Sequence, residues 1–378
     1  MPIDYETLRV IWWALMGILL IGFAVMDGFD LGIAALLPYL SRNDTERRVL
    51  LETIEPVWDG NQVWLILGAG ASFAAWPQLY ATSFSGFYHA LILVLWALIL
   101  RPVGLGYRNK MAGTKWRQSW DRALVVSGFV PSLVFGVAFG NLLLGTPFHF
   151  DDTLRPFYTG SLFELLNPFA LLCGLVSLTM LMMHGSVYAA LKTTGEIAAR
   201  ATKAATLAAL VLIVLFTLGG LWITFGIDGY VIISGAEHGG PSNPLYKTVI
   251  RETGAWIANY GTHPWTMLAP GLGYAGALGT IALLRAGANG LAFITSALSV
   301  AGIVATAGLS LFPFIMPSSS DPSSSLTVWD SSSSHLTLFI MLLCAAFFMP
   351  LIIAYTSWVF RVMRGKVTAE HLDHDQTY

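Results

Sequence analysis

The feature that most constrains this chain is a series of long apolar runs separated by short polar connections. Nine of these runs reach about 20 residues, the length that an α-helix needs to cross the hydrocarbon core of a bilayer. The apolar residues are contiguous rather than alternating, which argues against a transmembrane β-barrel. The sequence therefore predicts an all-α polytopic membrane protein without β-strands, a single integral membrane domain over residues 1–378. The predicted spans lie near residues 10–40, 50–75, 79–104, 122–145, 165–191, 204–226, 264–284, 290–314 and 337–360.

The low content of charged residues supports this fold class. Asp, Glu, Lys and Arg make up 11% of the chain, whereas soluble domains carry about 25% charged residues. The formal net charge is −2, so the composition indicates no basic surface for a nucleic-acid partner. No glycine-rich phosphate-binding motif follows a predicted strand. Membrane lipid is therefore the predicted surrounding of the chain.

The distribution of Lys and Arg predicts the orientation of the spans. With nine spans, 16 of the 20 basic residues fall on one side of the membrane. Because Lys and Arg accumulate on the cytoplasmic side, the N-terminus is predicted outside and the C-terminus in the cytoplasm. An eight-span topology would place both termini on one side and would fit this distribution less well. The cytoplasmic group is Arg42, Arg47, Arg48, Arg101, Arg108, Lys110, Lys115, Arg117, Arg122, Lys192, Arg200, Lys203, Arg285, Arg361, Arg364 and Lys366, and the outer group is Arg9, Arg155, Lys247 and Arg251.

Two stretches, VMDGFDLG at 25–32 and VWDGNQVW at 57–64, place carboxylates inside predicted spans. A charged side chain at the bilayer centre costs about 2.5–3.5 kcal/mol on insertion scales. Asp59 lies about nine residues from the cytoplasmic end of its span, roughly 13 Å deep in a core about 30 Å thick, and Asp30 lies at a similar depth. Asp27 lies one turn deeper. These carboxylates must therefore face protein, water or a counter-ion.

Helical spacing suggests a route for protons. Glu52, Glu55 and Asp59 stand at i, i+3 and i+7, so a continuous helix would place them on one face that leads from the cytoplasm to the middle of the membrane. Pro56 in the same turn removes a backbone hydrogen bond and frees a carbonyl group for water. Asp27 and Asp30 also share a helix face, and close, buried carboxylates favour protonated forms.

A structural explanation of the acids stays open beside the proton route. The buried carboxylates could pair with Arg101 or Arg122 and only fix the helices. Histidines are few within the predicted spans, where His89 and His184 stand on separate helices. Lone histidines of this kind are typical of packed, hydrogen-bonded side chains rather than of haem ligands. The sequence therefore predicts a proton-handling membrane protein with no metal or redox ligands of its own.

Several motifs resemble subunit II of the bacterial cytochrome bd quinol oxidases. They occur in the order of the family and extend from residue 12 to residue 334, nearly the whole chain. The combination of DGFDLG with WDGNQVW is the most specific part of the match. The matching stretches are WWALMGILLIGFAVMDGFDLG, EPVWDGNQVWLI, SGFYHALILVL followed by RPVG, VAFGNLLLG, GIDGY, FPFIMPSSS and SLTVWDSSSS.

The resemblance implies a fold of two four-helix bundles plus one peripheral helix. It implies a heterodimer in the bacterial inner membrane with subunit I, which in this family holds haems b558, b595 and d and the quinol site. The complex is an electrogenic oxidoreductase of aerobic respiration that oxidises quinol and reduces dioxygen to water. Subunit II helps to conduct protons from the cytoplasm and has no redox site or cofactor of its own. Small accessory single-span subunits are further expected partners.

The resemblance also assigns roles to individual residues. In the family pattern Asp59 and its neighbour Trp58 belong to the proton route, and Asp30 is a matching acid on the first span. Glu52 and Glu55 are absent from that pattern, so their role depends on helical spacing alone. Some members carry a structural quinone in this subunit, and contact of a quinone with Trp58 is the corresponding hypothesis.

Two other functions remain as alternatives. A proton-coupled secondary transporter would also bury acids in a helical bundle, but transporters show broken helices in two matching halves. Here the marked acids fall within the first 60 residues. A purely structural subunit is the second alternative. A haem spectrum of the purified complex separates an oxidase from a transporter, and replacement of Asp59 separates a proton route from a structural role.

The predicted topology can be tested with cysteines introduced near residues 3 and 370. An odd number of crossings places these positions on opposite sides of the membrane. A reagent that does not cross the membrane should therefore label position 3 from the outside and position 370 only after the cytoplasmic side is opened. Labelling of both positions from the same side would contradict the nine-span topology.

Overall fold

The computed structural model describes residues 2–235 and 237–368. Thirteen α-helices in this part of the chain dominate the fold. The first six are α1 Tyr5–Met26, α2 Gly28–Leu40, α3 Asp44–Glu52, α4 Trp58–Ala75, α5 Pro77–Gly86 and α6 Tyr88–Tyr107. The remaining seven are α7 Thr114–Leu144, α8 Pro168–Lys192, α9 Gly195–Gly226, α10 Ala258–Thr262, α11 Leu268–Arg285, α12 Asn289–Leu311 and α13 His335–Val362.

Eight helical segments of the described residues are long and apolar enough to cross a membrane. They confirm the predicted all-α, multi-pass fold class. The predicted span at 50–75 is absent from this group, because the polar residues at the start of α4 lower its mean hydropathy. The eight segments are Tyr5–Leu40, Tyr88–Lys110, Thr114–Leu144, Pro168–Lys192, Gly195–Gly226, Pro264–Arg285, Asn289–Leu311 and His335–Val362.

The second predicted span is broken rather than continuous. The helix α3 ends at Glu52, residues 53–57 form consecutive turns, and α4 begins at Trp58. Pro56 lies in this break. Proline cannot donate a backbone hydrogen bond, and within a helix its ring would clash with the carbonyl group of the preceding turn. The first span is also interrupted, at Asp27 between α1 and α2.

The helix α4 runs antiparallel beside α1 and α2. Near its start, Asn61 binds Asp30 of α2. In its middle, the ring of Trp64 packs over Gly22, where a Cβ atom would collide with it. At its end, Trp76 lies in one apolar cluster with Trp12. The chain from 58 to 76 therefore passes through the same depth as α1, although its composition is less apolar.

Close helix packing at glycines holds the bundle together. Gly32 lies against the backbone carbonyl of Leu181, and Gly185 lies against Gly32 in return. On α7, Gly136 and Gly140 face the backbone of α8 in the same way. The expectation that the small residues four apart, Gly28 and Gly32 as well as Gly136 and Gly140, serve helix packing is confirmed.

The last helix, α13, lies at the edge of the bundle. Of its 28 residues, only Leu338 is buried. Many of its large side chains, such as Phe347 and Trp358, are exposed. In a membrane protein such a surface faces lipid or another subunit.

Loops between the long helices contain short strands, so the expectation of no strands is wrong. Outside the bilayer, irregular backbone can satisfy its polar groups by forming hairpins. Three antiparallel pairs occur in the described residues. They join β1 Phe148–Phe150 to β2 Pro156–Tyr158, β3 Asp228–Ser234 to β4 Thr248–Thr253, and β5 Phe314–Met316 to β6 Leu326–Thr327.

The serine-rich segment 315–334 is an ordered cap. The side chains of Ser324, Thr327 and Ser331 are buried, and buried Lys247 forms an ion pair of 2.8 Å with Asp330. Burial lowers the pKa of Lys247, while Asp330 opposes that shift. Residue 370, one of the two labelling positions above, lies outside the described residues.

At the opposite end, an ion-pair network fixes the start of α3 to α6 and α7. Fully buried Arg108 lies 2.6 Å from both Asp44 and Asp121, and Arg117 lies 2.8 Å from Asp44. Burial would raise the pKa of Asp44, but the hydrogen bond from Arg108 and the charges of Arg108 and Arg117 outweigh it and lower that pKa. This network positions the entrance to the broken second span.

The packing at Gly32 can be tested by Gly32→Ala, with Gly17→Ala in α1 as the matched control. A Cβ atom at Gly32 would collide with the backbone of Leu181, whereas nothing lies within 4 Å of a Cβ atom at Gly17. Overpacking costs about 1–3 kcal/mol, while alanine in an unobstructed helix position is favoured by up to about 1 kcal/mol. The melting temperature of the purified complex should fall for Gly32→Ala only. Equal melting temperatures would show that the helices adapt at this crossing.

Candidate functional site

Two interrupted helices meet inside the bundle. The first interruption is at Asp27, between α1 and α2, and the second is the turn 53–57 before α4. Thr53 in the second break is buried. The backbone at Asp27 keeps helical dihedral angles, whereas residues 53–57 form turns. Non-helical backbone at membrane depth is tolerated where protein or a water-filled space surrounds it. The breaks therefore mark a place where polar groups can lie within the membrane.

A buried ion pair lies at this place. Nη1 of Arg101, on α6, is 2.8 Å from Oδ1 of Asp27, and both side chains are 0% exposed. Nη2 of Arg101 donates a hydrogen bond of 3.0 Å to Oε1 of Gln62. The guanidinium carbon lies 5.8 Å from the ring centroid of Trp58. The side chain of Arg101 therefore ties α6 to the first break and to the first turns of α4.

Asp30 is the second buried acid of the cluster. Its Oδ2 accepts a hydrogen bond of 2.9 Å from Nδ2 of Asn61, and the residue is 0% exposed. Its Oδ1 has no hydrogen-bond partner among the described side chains and backbone groups. Asp27 and Arg101 both act on it electrostatically. The cluster is thus two carboxylates that share one guanidinium.

The structure places Asp59 away from this cluster. Asn61 and Gln62 point inward to Asp30 and Arg101, so they do not serve Asp59 as polar partners in the way expected for the DGNQ sequence. Asp59 is exposed on the opposite side of α4, in its first turn. A carboxylate in the first turn of a helix is favoured by the helix dipole. After the second break, α4 therefore exposes the carboxylate of Asp59 and directs the side chains of Asn61 and Gln62 into the bundle.

The predicted one-face series of Glu52, Glu55 and Asp59 is wrong as a helical arrangement. Glu52 is the last residue of α3, Glu55 is exposed in the turn, and Asp59 belongs to α4. The break at Pro56 removes the continuous helix that the spacing required. The three acids still follow one another along the chain, from the end of α3 through the turn to the exposed face of α4.

Arg122 is not a partner of the buried acids. It is exposed near the start of α7 and forms none of the ion pairs observed among the described residues. The adjacent residue Asp121 carries the ionic contacts instead, to Arg108 at 2.6 Å and to Arg47 at 3.1 Å. The prediction of Arg122 as a charge partner is therefore wrong, because its side chain faces away from the bundle.

Two residues of α8 close the site from the far side: Tyr188, which sequence reasoning missed, and His184, which it named only as a packed histidine. The hydroxyl group of Tyr188 donates to the carbonyl oxygen of Thr53 at 3.4 Å, and its ring stacks on Phe29 with centroids 4.0 Å apart. His184 lies 3.0 Å from the carbonyl oxygen of Val25 and 2.8 Å from Oγ of Ser296. Both contact the backbone near a break. Only their polarity within an apolar run could have marked them.

The two histidines of the spans differ. His184 is buried and hydrogen-bonded, as expected. His89 is exposed on α6 and its described contact is with the ring of Tyr88, so the expectation of a packed residue is wrong for it. Among the described residues, no group of three or more His, Cys, Asp or Glu side chains could hold a metal ion.

An apolar cavity of about 440 Å³ lies elsewhere in the bundle. Residues of α1, α4, α7, α8, α9, α10, α11 and α12 line it, and Trp58 does not. Its few polar groups include the hydroxyl groups of Tyr260 and Ser310, which are 2.9 Å apart. Such a cavity can hold an apolar chain with a small polar head.

The dependence of the bundle on Arg101 can be tested by Arg101→Met and Arg101→Lys. Methionine leaves Asp27 and Asp30 without their shared cation, and removal of one partner of a buried ion pair costs about 3–5 kcal/mol. The yield of assembled complex and its melting temperature should therefore fall strongly. Lysine keeps the charge but not the second hydrogen bond, so its loss should be smaller. Arg155→Met, in an exposed loop, is the control and should behave as the unchanged protein. Equal behaviour of Arg101→Met would contradict the role of Arg101.

Comparisons with known proteins agree on one family. Residues 8–363 match the family described as cytochrome bd terminal oxidase subunit II. The chain is 51% identical over 373 residues to cytochrome bd-I ubiquinol oxidase subunit 2 of Escherichia coli, covering 99% of this chain and 98% of that protein. It is 30% identical to cytochrome bd ubiquinol oxidase subunit 2 of Bacillus subtilis, covering 96% and 97%.

A solved structure supports the fold. A chain of the bd oxidase from Geobacillus thermodenitrificans superposes with a TM-score of 0.68 at 15% sequence identity, covering 94% of this chain and 98% of that one. At this identity the likeness concerns the fold. The sequence matches carry the family, and they agree with the resemblance seen in the motifs. The chain therefore belongs to the cytochrome bd terminal oxidase subunit II family, and it is one subunit of a membrane-bound quinol oxidase.

Proposed function

We propose that this chain conducts protons from the cytoplasm through Asp59 to the oxygen-reducing haems of subunit I. The observation that carries the proposal is the position of Asp59. Its carboxylate is exposed on the outer face of α4, while Asn61, two residues further on, contacts Asp30. Asp30 precedes the end of α2 by ten residues, which corresponds to about 15 Å.

Lipid is a poor environment for a carboxylate at that depth. The exposed face of α4 continues from Asp59 along a stripe with helical spacing, and the rest of this stripe is apolar or small. Its further members are Val63, Ile66, Gly70 and Phe73. A membrane protein that covers the stripe would bury these apolar side chains and receive the acid at one end. Subunit I is the partner that fits this requirement.

The break before α4 supports access from the cytoplasmic side. Glu55 is exposed in the turn and Glu52 is half-buried at the end of α3, so both lie between the cytoplasmic ion-pair network and Asp59. In the proposal they are the outer steps of the route. Asp27 and Asp30 lie on the inner side of α4 and form its buried branch, with Arg101 as their counter-charge.

The proposed topology retains nine crossings in a single membrane domain, with the N-terminus outside. Its support is the antiparallel course of α4 beside α1, which carries residues 58–76 across the bilayer in spite of their polarity. The predicted arrangement of two four-helix bundles with α13 as the peripheral helix belongs to the same proposal. The exposed surface of α13 would face lipid or single-span accessory subunits.

A structural quinone fits the apolar cavity better than it fits Trp58. The cavity has the apolar lining that an isoprenoid chain requires, and Tyr260 and Ser310 provide hydroxyl groups for a ring carbonyl. Trp58 is half-buried between Arg101 and the core instead. We therefore place the quinone of the family hypothesis in this cavity. Haems b558, b595 and d are assigned to subunit I.

Asp59→Asn tests the proposed relay in the complete oxidase. Among the described residues Asp59 forms no ion pair, so asparagine should leave assembly and haem content nearly unchanged. Loss of a positioned proton-transfer group typically lowers a rate by roughly 10²-fold or more, and quinol oxidase turnover should fall accordingly. Asp59→Glu should retain more activity because a carboxyl group remains.

Asp152→Asn, in an exposed outer loop, is the matched control for loss of one acid. Lost haem together with lost complex in Asp59→Asn would support a structural role. Normal haem with normal turnover would rule out both the relay and the structural role.

A further inference from the structure

The buried cluster contains more acidic than basic side chains. Asp27, Asp30 and Arg101 are all 0% exposed, and two carboxylates against one guanidinium leave one negative charge. The charged side chains that act on Asp30 are Asp27 and Arg101. The adjoining α8 contributes Tyr188, a neutral phenol within electrostatic reach. An uncompensated charge is strongly disfavoured in a water-poor interior.

The contacts show which carboxyl group is the uncompensated one. Asp27 forms the direct ion pair with Nη1 of Arg101 at 2.8 Å. Asp30 forms no ion pair of this kind and accepts one amide hydrogen bond from Asn61. Oδ1 of Asp30 is buried without a hydrogen-bond partner among the described groups, as are both carboxyl oxygens of Asp27. The direct charge contact of Asp27 with Arg101 is therefore what distinguishes the two acids. The nearby carboxylate of Asp27 further disfavours negative charge on Asp30.

We propose that Asp30 carries one proton, so that the cluster is an electrically neutral one-proton site. Oδ1 is the atom that holds the proton, since Oδ2 already accepts the hydrogen bond of Asn61. The ion pair of Asp27 with Arg101 stays intact beside it. This inference deepens the proposed proton route, because it makes the buried branch a place where one proton is stored. The functional role of that proton rests on the proposed route.

Charge counting gives this proposal a specific signature in the assembled oxidase. Asp30→Asn removes the proton site and leaves a neutral pair. Asp27→Asn lets Asp30 ionise and take over Arg101, so the cluster is again neutral but holds no proton. Both single variants should therefore assemble. The double variant leaves Arg101 as an unpaired buried cation, and its yield of assembled complex should fall roughly tenfold or more.

The triple variant with Arg101→Met restores neutrality and should recover yield relative to the double variant. Asp152→Asn is the control for loss of an exposed acid. If Asp27→Asn assembles as poorly as the double variant, Asp30 does not neutralise Arg101 and the proposal is overturned.

Infrared spectroscopy of the purified complex observes the proton directly, because an un-ionised carboxyl group has a carbonyl stretch that shifts in deuterated water. The unchanged complex should show one such band that is missing from both Asp30→Asn and Asp27→Asn. If no such band is lost in Asp30→Asn, or if the band lost there persists in Asp27→Asn, the proposal is overturned.

Quinol oxidase turnover separates the two proposals. If Asp30→Asn loses the band but keeps its turnover, the one-proton site stands and the route through Asp30 fails. If the band persists while turnover falls, the route stands and the one-proton site fails.

Discussion

The ion pair between Arg101 and Asp27 is the interaction on which the membrane part of this subunit depends. A guanidinium and a carboxylate buried together must meet with good geometry, since their desolvation is otherwise uncompensated. Arg101 reaches three elements at once, the break of the first span through Asp27, the start of α4 through Gln62, and its own helix α6. One side chain therefore links these helices to one another.

Both breaks in the helices lie next to this ion pair, since Arg101 contacts Asp27 at the first break and Gln62 shortly after the second. A freed backbone group in lipid would be costly, but here Tyr188 binds the carbonyl oxygen of Thr53 and His184 binds that of Val25. The breaks are thus enclosed by α8 and stabilised by polar contacts. In return, the second break lets α4 begin within the membrane and turn Asp59 outward while Asn61 faces inward.

The two ends of the bundle are fixed by different means. At one end Arg108 binds Asp44 and Asp121, which holds the short helix α3 against the end of α6 and against α7. At the other end buried Arg9 donates hydrogen bonds to the backbone and hydroxyl groups of the loops that follow α9 and α12. Between these two ends, the ion pair of Arg101 with Asp27 is the one such charged contact among the described residues.

Much of this was determined by the sequence itself. Long apolar runs specify membrane helices because backbone groups in lipid must be paired within the helix, and the motifs around DGFDLG and WDGNQVW identified the family. The importance of Asp27, Asp30 and Arg101 also followed from the cost of charge in lipid. Which of them meet was decided only by the tertiary structure. Pro56 breaks the helix that would have aligned Glu52 and Glu55 with Asp59, Arg122 faces solvent, and Asn61 binds Asp30 across 31 residues of chain. Spacing predicts faces only on an unbroken helix, and the partners of a side chain on another helix depend on how the two helices pack.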